Sequence, residues 1–333
     1  MKKISGIKFI SISIVFFVLA IIISIGIGPV QIPFLTIIKE LFDPNANGPY
    51  HIIIWELRLP RILLASLVGA SLAVSGVVMQ GIFRNPLSDP YITGTASGAA
   101  LGATISIIAG LAALNIYFLP FLAFLGATFT TILVAMIASY SSGPKSENML
   151  LAGLGISIFF SAIVSYLMYM NGKDLQTVFY WLMGSFSGAQ WNYVYIMLIF
   201  AVPAIIILAL IGSDIDPIMI GEEHAYALGI NVKKSRLLFF VLSSLITGLS
   251  VAFSGIIGFV GLIIPHIVRI ITGPNNRVVI ISSIFLGGGY MVIADTIARS
   301  LNIIEELPVG IITSLIGIPV FLYLLIKEKG YWR

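Results

Sequence analysis

Few residues of this 333-residue chain could carry chemistry, because only 10% are charged and none is cysteine. Asp295 and Arg299 lie four residues apart in an apolar run, where an ionisable pair is a candidate functional site. A salt bridge at a helix end would explain both residues equally well. His51, His224 and His266 lack the spacing of metal ligands, so the sequence predicts neither an enzyme nor a metal site.

The energy source for any work must also come from elsewhere. The nearest string to a nucleotide-binding loop is Gly143-Pro144-Lys145-Ser146, which lacks the Gly-Lys step and is better interpreted as a turn. No acidic pair lies in the middle of an apolar run, as coupling to an ion gradient usually requires. Residues 214–236 contain seven of the 32 charged residues and predict one or two short surface helices. This charged segment is therefore the obvious attachment point for an energy-supplying partner.

The elements that position these residues are membrane helices. Hydrophobic residues make up 59% of the chain and the mean hydropathy is +1.07, which predicts one all-α polytopic membrane domain over residues 1–333. Basic residues lie singly at the ends of apolar runs, a pattern that excludes a nucleic-acid-binding stripe. The predicted ten spans are about 9–28, 61–84, two within 90–144, 148–172, 191–212, one from 236, a short one interrupted at Pro265-His266, 277–298 and 307–326.

Four of these spans repeat four others. The pattern of small residues and proline from Gly69 to Gly94 recurs without a gap 179 residues later, from Gly248 to Gly273, and matches at eight positions. Small residues at this spacing let helix backbones approach closely. We therefore predict two repeat units of about 58–172 and 236–327, corresponding to spans 2–5 and 7–10.

Charge predicts how the spans are oriented. With both termini in the cytoplasm, only five of the 18 Lys and Arg residues fall outside: Lys39, Arg58, Arg61, Lys173 and Arg299. The same count runs spans two and seven in opposite directions, so the repeats are inverted, as in many transporters.

Several motifs resemble one family. They are RLPR (58–61), GASLAVSGVVMQ (69–80), NPLSDP (85–90), GEEHAYALGI (221–230), FVGLIIPHIVR (259–269), Ala294-Asp295 and ELPVGIITSLIGIPVF (306–321). In order and over almost the whole chain, they resemble the membrane permease subunit of ATP-driven (type II ABC) importers for ferric siderophores, haem and cobalamin. One departure is Arg84, where a non-basic residue is common.

The resemblance implies a set of partners. A second copy of the chain, or a close homologue, would pair with it in the cell (plasma or inner) membrane. Two separate ATPase subunits would use ATP and Mg, an external substrate-binding protein would deliver an iron chelate, and this chain would bind no cofactor or metal itself. Haem, cobalamin or a molybdate-type oxyanion are alternative cargoes. An ion-coupled secondary transporter is the competing class, and a membrane enzyme has no support in the residues.

The resemblance also implies roles for individual residues. The coupling segment, residues 214–235, would dock on the ATPase through Gly221, Glu222, Glu223, Ala227, Leu228 and Gly229. The gate and translocation residues would be Asn85, Pro86, Leu87, Ser146, Glu147, Pro265 and His266. Arg58, Arg61 and Arg299 would meet acidic residues of the binding protein, although arginines at helix ends also extend to water without any partner. For His266, a hydrogen bond to a backbone carbonyl is an equally good interpretation.

Overall fold

The computed structural model describes residues 4–42, 48–141, 145–301 and 306–327. These residues form sixteen α-helices: α1 Gly6–Gly26, α2 Phe34–Phe42, α3 Pro49–Ile52, α4 Leu59–Ile82, α5 Thr95–Ile108, α6 Leu111–Leu114, α7 Phe118–Tyr140, α8 Lys145–Met170, α9 Leu175–Leu182, α10 Trp191–Ile211, α11 Ile215–Ile220, α12 Glu222–Ala227, α13 Val232–Ser254, α14 Val260–Thr272, α15 Asn276–Leu301 and α16 Val309–Lys327. The all-α polytopic fold class is thereby confirmed.

Ten of these helices correspond to the ten predicted spans. Within the described ranges, seven helical stretches are long and apolar enough to cross a membrane, and three shorter apolar helices (α5, α14 and α16) complete the set. The two predicted repeat units each begin with a long helix and continue with a short one, α5 after α4 and α14 after α13. Their boundaries as structural units remain a prediction.

Helix α4 lies at the centre of the bundle, and 89% of the most apolar part of the continuous helix Pro49–Ile82 is buried. The small residues of the repeated motif allow the close packing. A methyl group built on Gly76 would lie 1.8 Å from the carbonyl oxygen of Gly261 in α14, and one on Gly69 would lie 2.4 Å from that of Gly287 in α15. Backbones therefore touch at both places, as small residues in membrane helices permit.

The two copies of the motif differ in conformation. Ser75 and Gly76 lie inside α4, whereas their counterparts Ser254 and Gly255 end α13, and Gly255 has φ +69°. The expected interruption at Pro265 is wrong, since α14 continues through it. Proline leaves the carbonyl four residues before it, that of Gly261, without its helical donor. This is the carbonyl that faces Gly76 of α4.

The start of the second span also differs from expectation. The spans predicted at about 9–28 and 61–84 leave residues 29–57 as a connection, but α2 lies within them and a continuous helix runs from Pro49 to Ile82. A π-helix, Ile53–Arg58, joins α3 to α4 within this helix. Single π-turns inside α-helices are rare and are frequent at functional sites. This one ends at Arg58, one of the three arginines singled out by the sequence.

Candidate functional site

The coupling segment consists of two short helices separated by Gly221, as the charge pattern predicted. Ala225 of α12 is buried, while Tyr226 and Leu228 are 55% and 61% exposed. Gly221 has open space around it, and Gly229 ends the segment with φ +80°. Glu222, Glu223, Ala227 and Leu228 are all exposed on the same short element. The segment therefore presents an apolar and acidic surface that the single chain leaves uncovered.

The coupling segment is attached to the bundle by an ion pair. Glu222 Oε1 lies 2.5 Å from Arg236 Nη1 in the first turns of α13, and the Asn231 side chain caps that helix by accepting from Lys234 N at 3.1 Å. A cavity of about 540 Å³ lies between α12 and the ends of α4, α7, α8 and α13. Glu222, Tyr226 and Arg236 line it. Helix α12 is thus bound to α13 through Glu222 and borders this cavity.

The predicted gate residues Asn85, Pro86 and Leu87 form a turn directly after α4. Asn85 Oδ1 accepts from Leu87 N at 2.9 Å, and Leu87 itself is 44% exposed. Asp89 caps the following 3₁₀ helix, Pro90–Thr93, by accepting from Tyr91 N at 2.8 Å. Burial of its carboxyl raises the pKa of Asp89 to about 6.

The other predicted gate residues lie on two further helices. Ser146 and Glu147 are in the first turn of α8, where Glu147 is exposed and the Ser146 side chain lies outside the described parts. Pro265 and His266 are buried in α14. Helix α8 packs closely on the 3₁₀ helix after the Asn85 turn. A methyl group built on Gly153 would lie 2.1 Å from Ile92 O. The structure thus connects α8 with the chain that follows the turn.

The three arginines are buried and bound inside the protein. Arg61, 9% exposed, donates from Nε and Nη2 to the two carboxylate oxygens of Asp295 at 2.8 Å each, and from Nη1 to Glu306 Oε2 at 2.7 Å. Arg299, 3% exposed, donates to Ser24 O at 2.5 Å and to Ser24 Oγ at 2.8 Å.

Arg58 is 4% exposed and donates to the carbonyls of Ile25 and Val30. These contacts correct the i,i+4 interpretation of Asp295 and Arg299, because Asp295 pairs with Arg61 instead, 234 residues away in sequence. A bidentate ion pair with a guanidinium from another helix is stronger than an ion pair between adjacent turns of one helix. Docking of a binding protein on the arginines remains a prediction, and it would require these internal partners to be exchanged.

Sequence reasoning missed the contacts that join the coupling segment to the bundle. Arg84 Nε and Nη2 donate to the carbonyl of Ile218 in α11 at 3.0 and 2.6 Å. Two residues earlier in α11, Asp216 Oδ1 accepts from the backbone and side-chain amides of Asn276 at 3.0 and 2.5 Å. The unusual Arg84 was the one signal in the sequence that pointed here.

These observations, a bundle of apolar helices and an exposed charged segment, agree with a comparison of the whole chain. The FecCD transport family model matches residues 16–327. The chain belongs to the FecCD transport family. The expected resemblance is thereby confirmed, and the chain is a multi-pass permease subunit of the ABC importer class.

Relatives cover most of the chain. A cobalamin import system permease from Halobacterium salinarum is 41% identical over 82% of this chain and 73% of its own length. A vitamin B12 import system permease from Yersinia pseudotuberculosis is 36% identical over 84% of this chain and 83% of its own length. A solved structure described as a metal-chelate type ABC transporter in an inward-facing conformation has a TM-score of 0.84, at 35% identity, over 96% of this chain and 99% of its own.

Proposed function

We propose that this permease imports a metal chelate and is driven by separate ATPase subunits that hydrolyse ATP with Mg. An external substrate-binding protein delivers the chelate, and both termini lie in the cytoplasm with the coupling segment. Family membership supports the importer class, and the charge distribution supports this orientation. Nothing in the sequence motifs supports ATP hydrolysis by the chain itself.

The observation that carries the proposal is the exposed surface of the coupling segment. Tyr226 and Leu228 expose more than half of their surface, although an apolar patch on a surface helix usually has a partner. Only Ala225 of α12 is buried, and it ties the helix to the bundle. A groove on an ATPase subunit would cover the exposed residues and take up the movement that ATP binding produces.

Substitutions in the segment test this coupling. Ala227→Arg and Gly221→Arg each place a long charged side chain on a surface that is exposed in the free chain, so the permease should still fold and reach the membrane. We expect both variants to lose co-purification of the ATPase and ATP-dependent uptake. Gln176→Arg, at an exposed position far from the segment in sequence, is the matched control. Co-purification of the ATPase at the wild-type level with the double variant Gly221→Arg/Ala227→Arg would refute the assignment.

The first candidate cargo is cobalamin. The resemblance alone favoured a ferric siderophore, but two relatives are named for cobalamin or vitamin B12 import. A ferric siderophore is the second candidate, since a structural neighbour is described as a metal-chelate type transporter. Uptake of radiolabelled cyanocobalamin and of a radiolabelled ferric hydroxamate siderophore should be compared in proteoliposomes containing permease, ATPase and binding protein. Uptake by permease alone would instead indicate an ion-coupled transporter.

Pairing with a second copy or a close homologue completes the proposal. Only 22% of the most apolar part of α8 is buried. Leu151, Leu154 and Ile158 are 60–70% exposed along this helix. Because the chain has no cysteine, a single Leu154→Cys variant can report whether two α8 helices meet. We expect oxidative cross-linking to a dimer in membranes. Ile132→Cys, on the exposed face of α7, is the control that should stay monomeric.

Binding-protein docking on the arginine cluster is tested by association rates. Arg58→Glu, Arg61→Glu and Arg299→Glu should each slow association at low salt and differ less from wild type at high salt, because reversing a charge weakens the electrostatic attraction of an acidic partner, which salt screens. A compensating Glu→Arg change on the binding protein should restore the rate. Equal rates for all variants at both salt concentrations would leave the arginines with an internal role only.

A further inference from the structure

We infer that α11 is the mechanical link through which the coupling segment acts on both halves of the bundle, with Arg84 and Asp216 as its positioning residues. The carbonyl of Ile218 in α11 is bound to Arg84, directly after α4 and next to the Asn85 turn. The side chain of Asp216, two residues earlier, is bound at the junction between α14 and α15. This inference rests on the proposed ATP-driven function, since it concerns how movement passes from the ATPase side to the transport path.

The backbone conformation of Arg84 is unfavourable for an arginine. It has φ +49°, in the left-handed region where glycine is favoured. Arg84 N donates to Gly81 O and Asn85 N donates to Gln80 O, which is the hydrogen-bond pattern of a glycine-terminated helix end. An arginine at this position costs about 1 kcal/mol or more relative to glycine.

The side chain of Arg84 gives a physical reason for keeping this strained residue. Its guanidinium donates twice, at 3.0 and 2.6 Å, to the carbonyl of Ile218, which lies in α11 two residues before its end. Strained residues outside glycine persist where the surroundings hold them and often mark functional positions. Movement of α11 therefore pulls on the residue directly before Asn85, the first residue of the predicted gate turn.

Asp216, two residues before Ile218, makes the second contact of α11. Its Oδ1 accepts two hydrogen bonds from Asn276, which is fully buried and is the first residue of α15. Asn276 Oδ1 in turn accepts from Arg269 Nη1 at 3.0 Å, and Arg269 lies in the last turn of α14. Asp216 thus contacts α15 directly and is connected to α14 through Asn276.

Close packing makes α11 move as one body with these contacts. Ile215 and Ile218 are each 1% exposed. A methyl group on Gly81 of α4 would lie 2.3 Å from Ile215 Cγ2, so this glycine makes room for α11. A methyl group on Gly212, just before α11, would lie 2.6 Å from Ile280 Cδ1 of α15. The six residues of α11, about 9 Å long, therefore span from α4 to α15 without a flexible joint.

The test separates coupling from stability through the glycine variant. Arg84→Gly relieves the backbone strain and removes the link, so its thermal midpoint should equal or exceed that of wild type. Uptake per ATP hydrolysed should fall about five- to tenfold, in the range of ordinary coupling energies. Arg84→Lys keeps one donor and should be intermediate. Asp216→Asn keeps the acceptor oxygen and should be nearly unchanged, whereas Asp216→Ala should uncouple.

The measurement uses the complete complex of permease, ATPase and binding protein in proteoliposomes, with radiolabelled cyanocobalamin or a radiolabelled ferric hydroxamate siderophore, whichever the wild type transports. ATPase co-purification should stay at the wild-type level in all four variants. Wild-type uptake per ATP in Arg84→Gly, or an order that follows thermal stability, would overturn the link. Lack of ATP-dependent uptake by the wild-type complex itself would overturn the proposed function, and the link with it.

Discussion

Removal of Asp295 should show that Arg61 is held in place by a partner inside the protein. Asp295 is 2% exposed and occupies two of the three hydrogen bonds that Arg61 makes to carboxylates. The third is to Glu306, whose side chain is 36% exposed. In Asp295→Ala the guanidinium of Arg61 would stay buried with one partly exposed carboxylate as its partner.

The expected loss of stability follows from these burials. Breaking a buried ion pair by removing one partner costs about 3–5 kcal/mol, because the other charge is left without compensation. We expect the lower figure, about 3 kcal/mol, since Glu306 still binds Nη1 of Arg61. At roughly 2 °C per kcal/mol for a large chain, the thermal midpoint should fall by about 6 °C.

The assay is thermal unfolding of purified permease in nanodiscs at one pH and salt concentration. Glu306→Gln is the matched control and should cost less than about 1 kcal/mol, because pairs with an exposed partner contribute little. The double variant Arg61→Met with Asp295→Leu should recover most of the loss, since apolar replacements of a buried pair are often neutral. The two sites touch, so their effects should not add.

Two results would refute this reasoning. Equal midpoints for Asp295→Ala and Glu306→Gln would mean that burial does not set the strength of the pairs. Additive losses in the double variant would mean that Arg61 and Asp295 do not act as a pair. In either case the internal carboxylates would not explain why Arg61 is buried.

Three further predictions concern the rest of the chain. Gly76→Ala should destabilise the permease by about 3 kcal/mol because it overpacks α4 against the facing carbonyl, whereas Gly155→Ala, with open space around it, should be neutral or slightly stabilising; both are measured as thermal midpoints. Burial of Asp89 favours its protonated form, so stability should be higher at pH 5 than at pH 7 by about 1 kcal/mol, and Asp89→Asn should remove this difference. In whole cells, His224→Cys should react with an impermeant thiol reagent only after permeabilisation and Gln176→Cys before it.

Each of these has an outcome that contradicts it. Equal midpoints for the two glycine variants would mean that α4 and α14 are not in backbone contact. The sign for Asp89 follows from a folded pKa above the ordinary value of 3.8, so stability is lost as pH rises through about 6; a rise over that range would contradict burial. Labelling of the cysteine at position 224 in intact cells would reverse the topology and remove the coupling segment from the ATPase side.

Local composition was enough to predict the membrane class and the number of spans. An apolar run of about 20 residues has one stable solution in a bilayer, a helix that satisfies its own backbone. Small residues at Gly69 and Gly76 likewise predicted close approach without naming the neighbour. The charged residues around Gly221 predicted short surface helices, because Gly and Pro punctuate them locally. These features depend on residues close together in sequence.

Tertiary structure decided the partners and the breaks. The same Ser-Gly motif is helical at Gly76 and ends a helix at Gly255, although each glycine lies against a carbonyl of another segment, that of Gly261 and that of Trp181. Asp295 pairs with Arg61 rather than with Arg299, since a guanidinium from another helix reaches both oxygens. Arg84 was visible in the sequence as an anomaly, but its acceptor lies 134 residues away. Periodicity and charge report what a segment does alone, whereas a hydrogen bond between distant segments exists only after packing has brought both groups together.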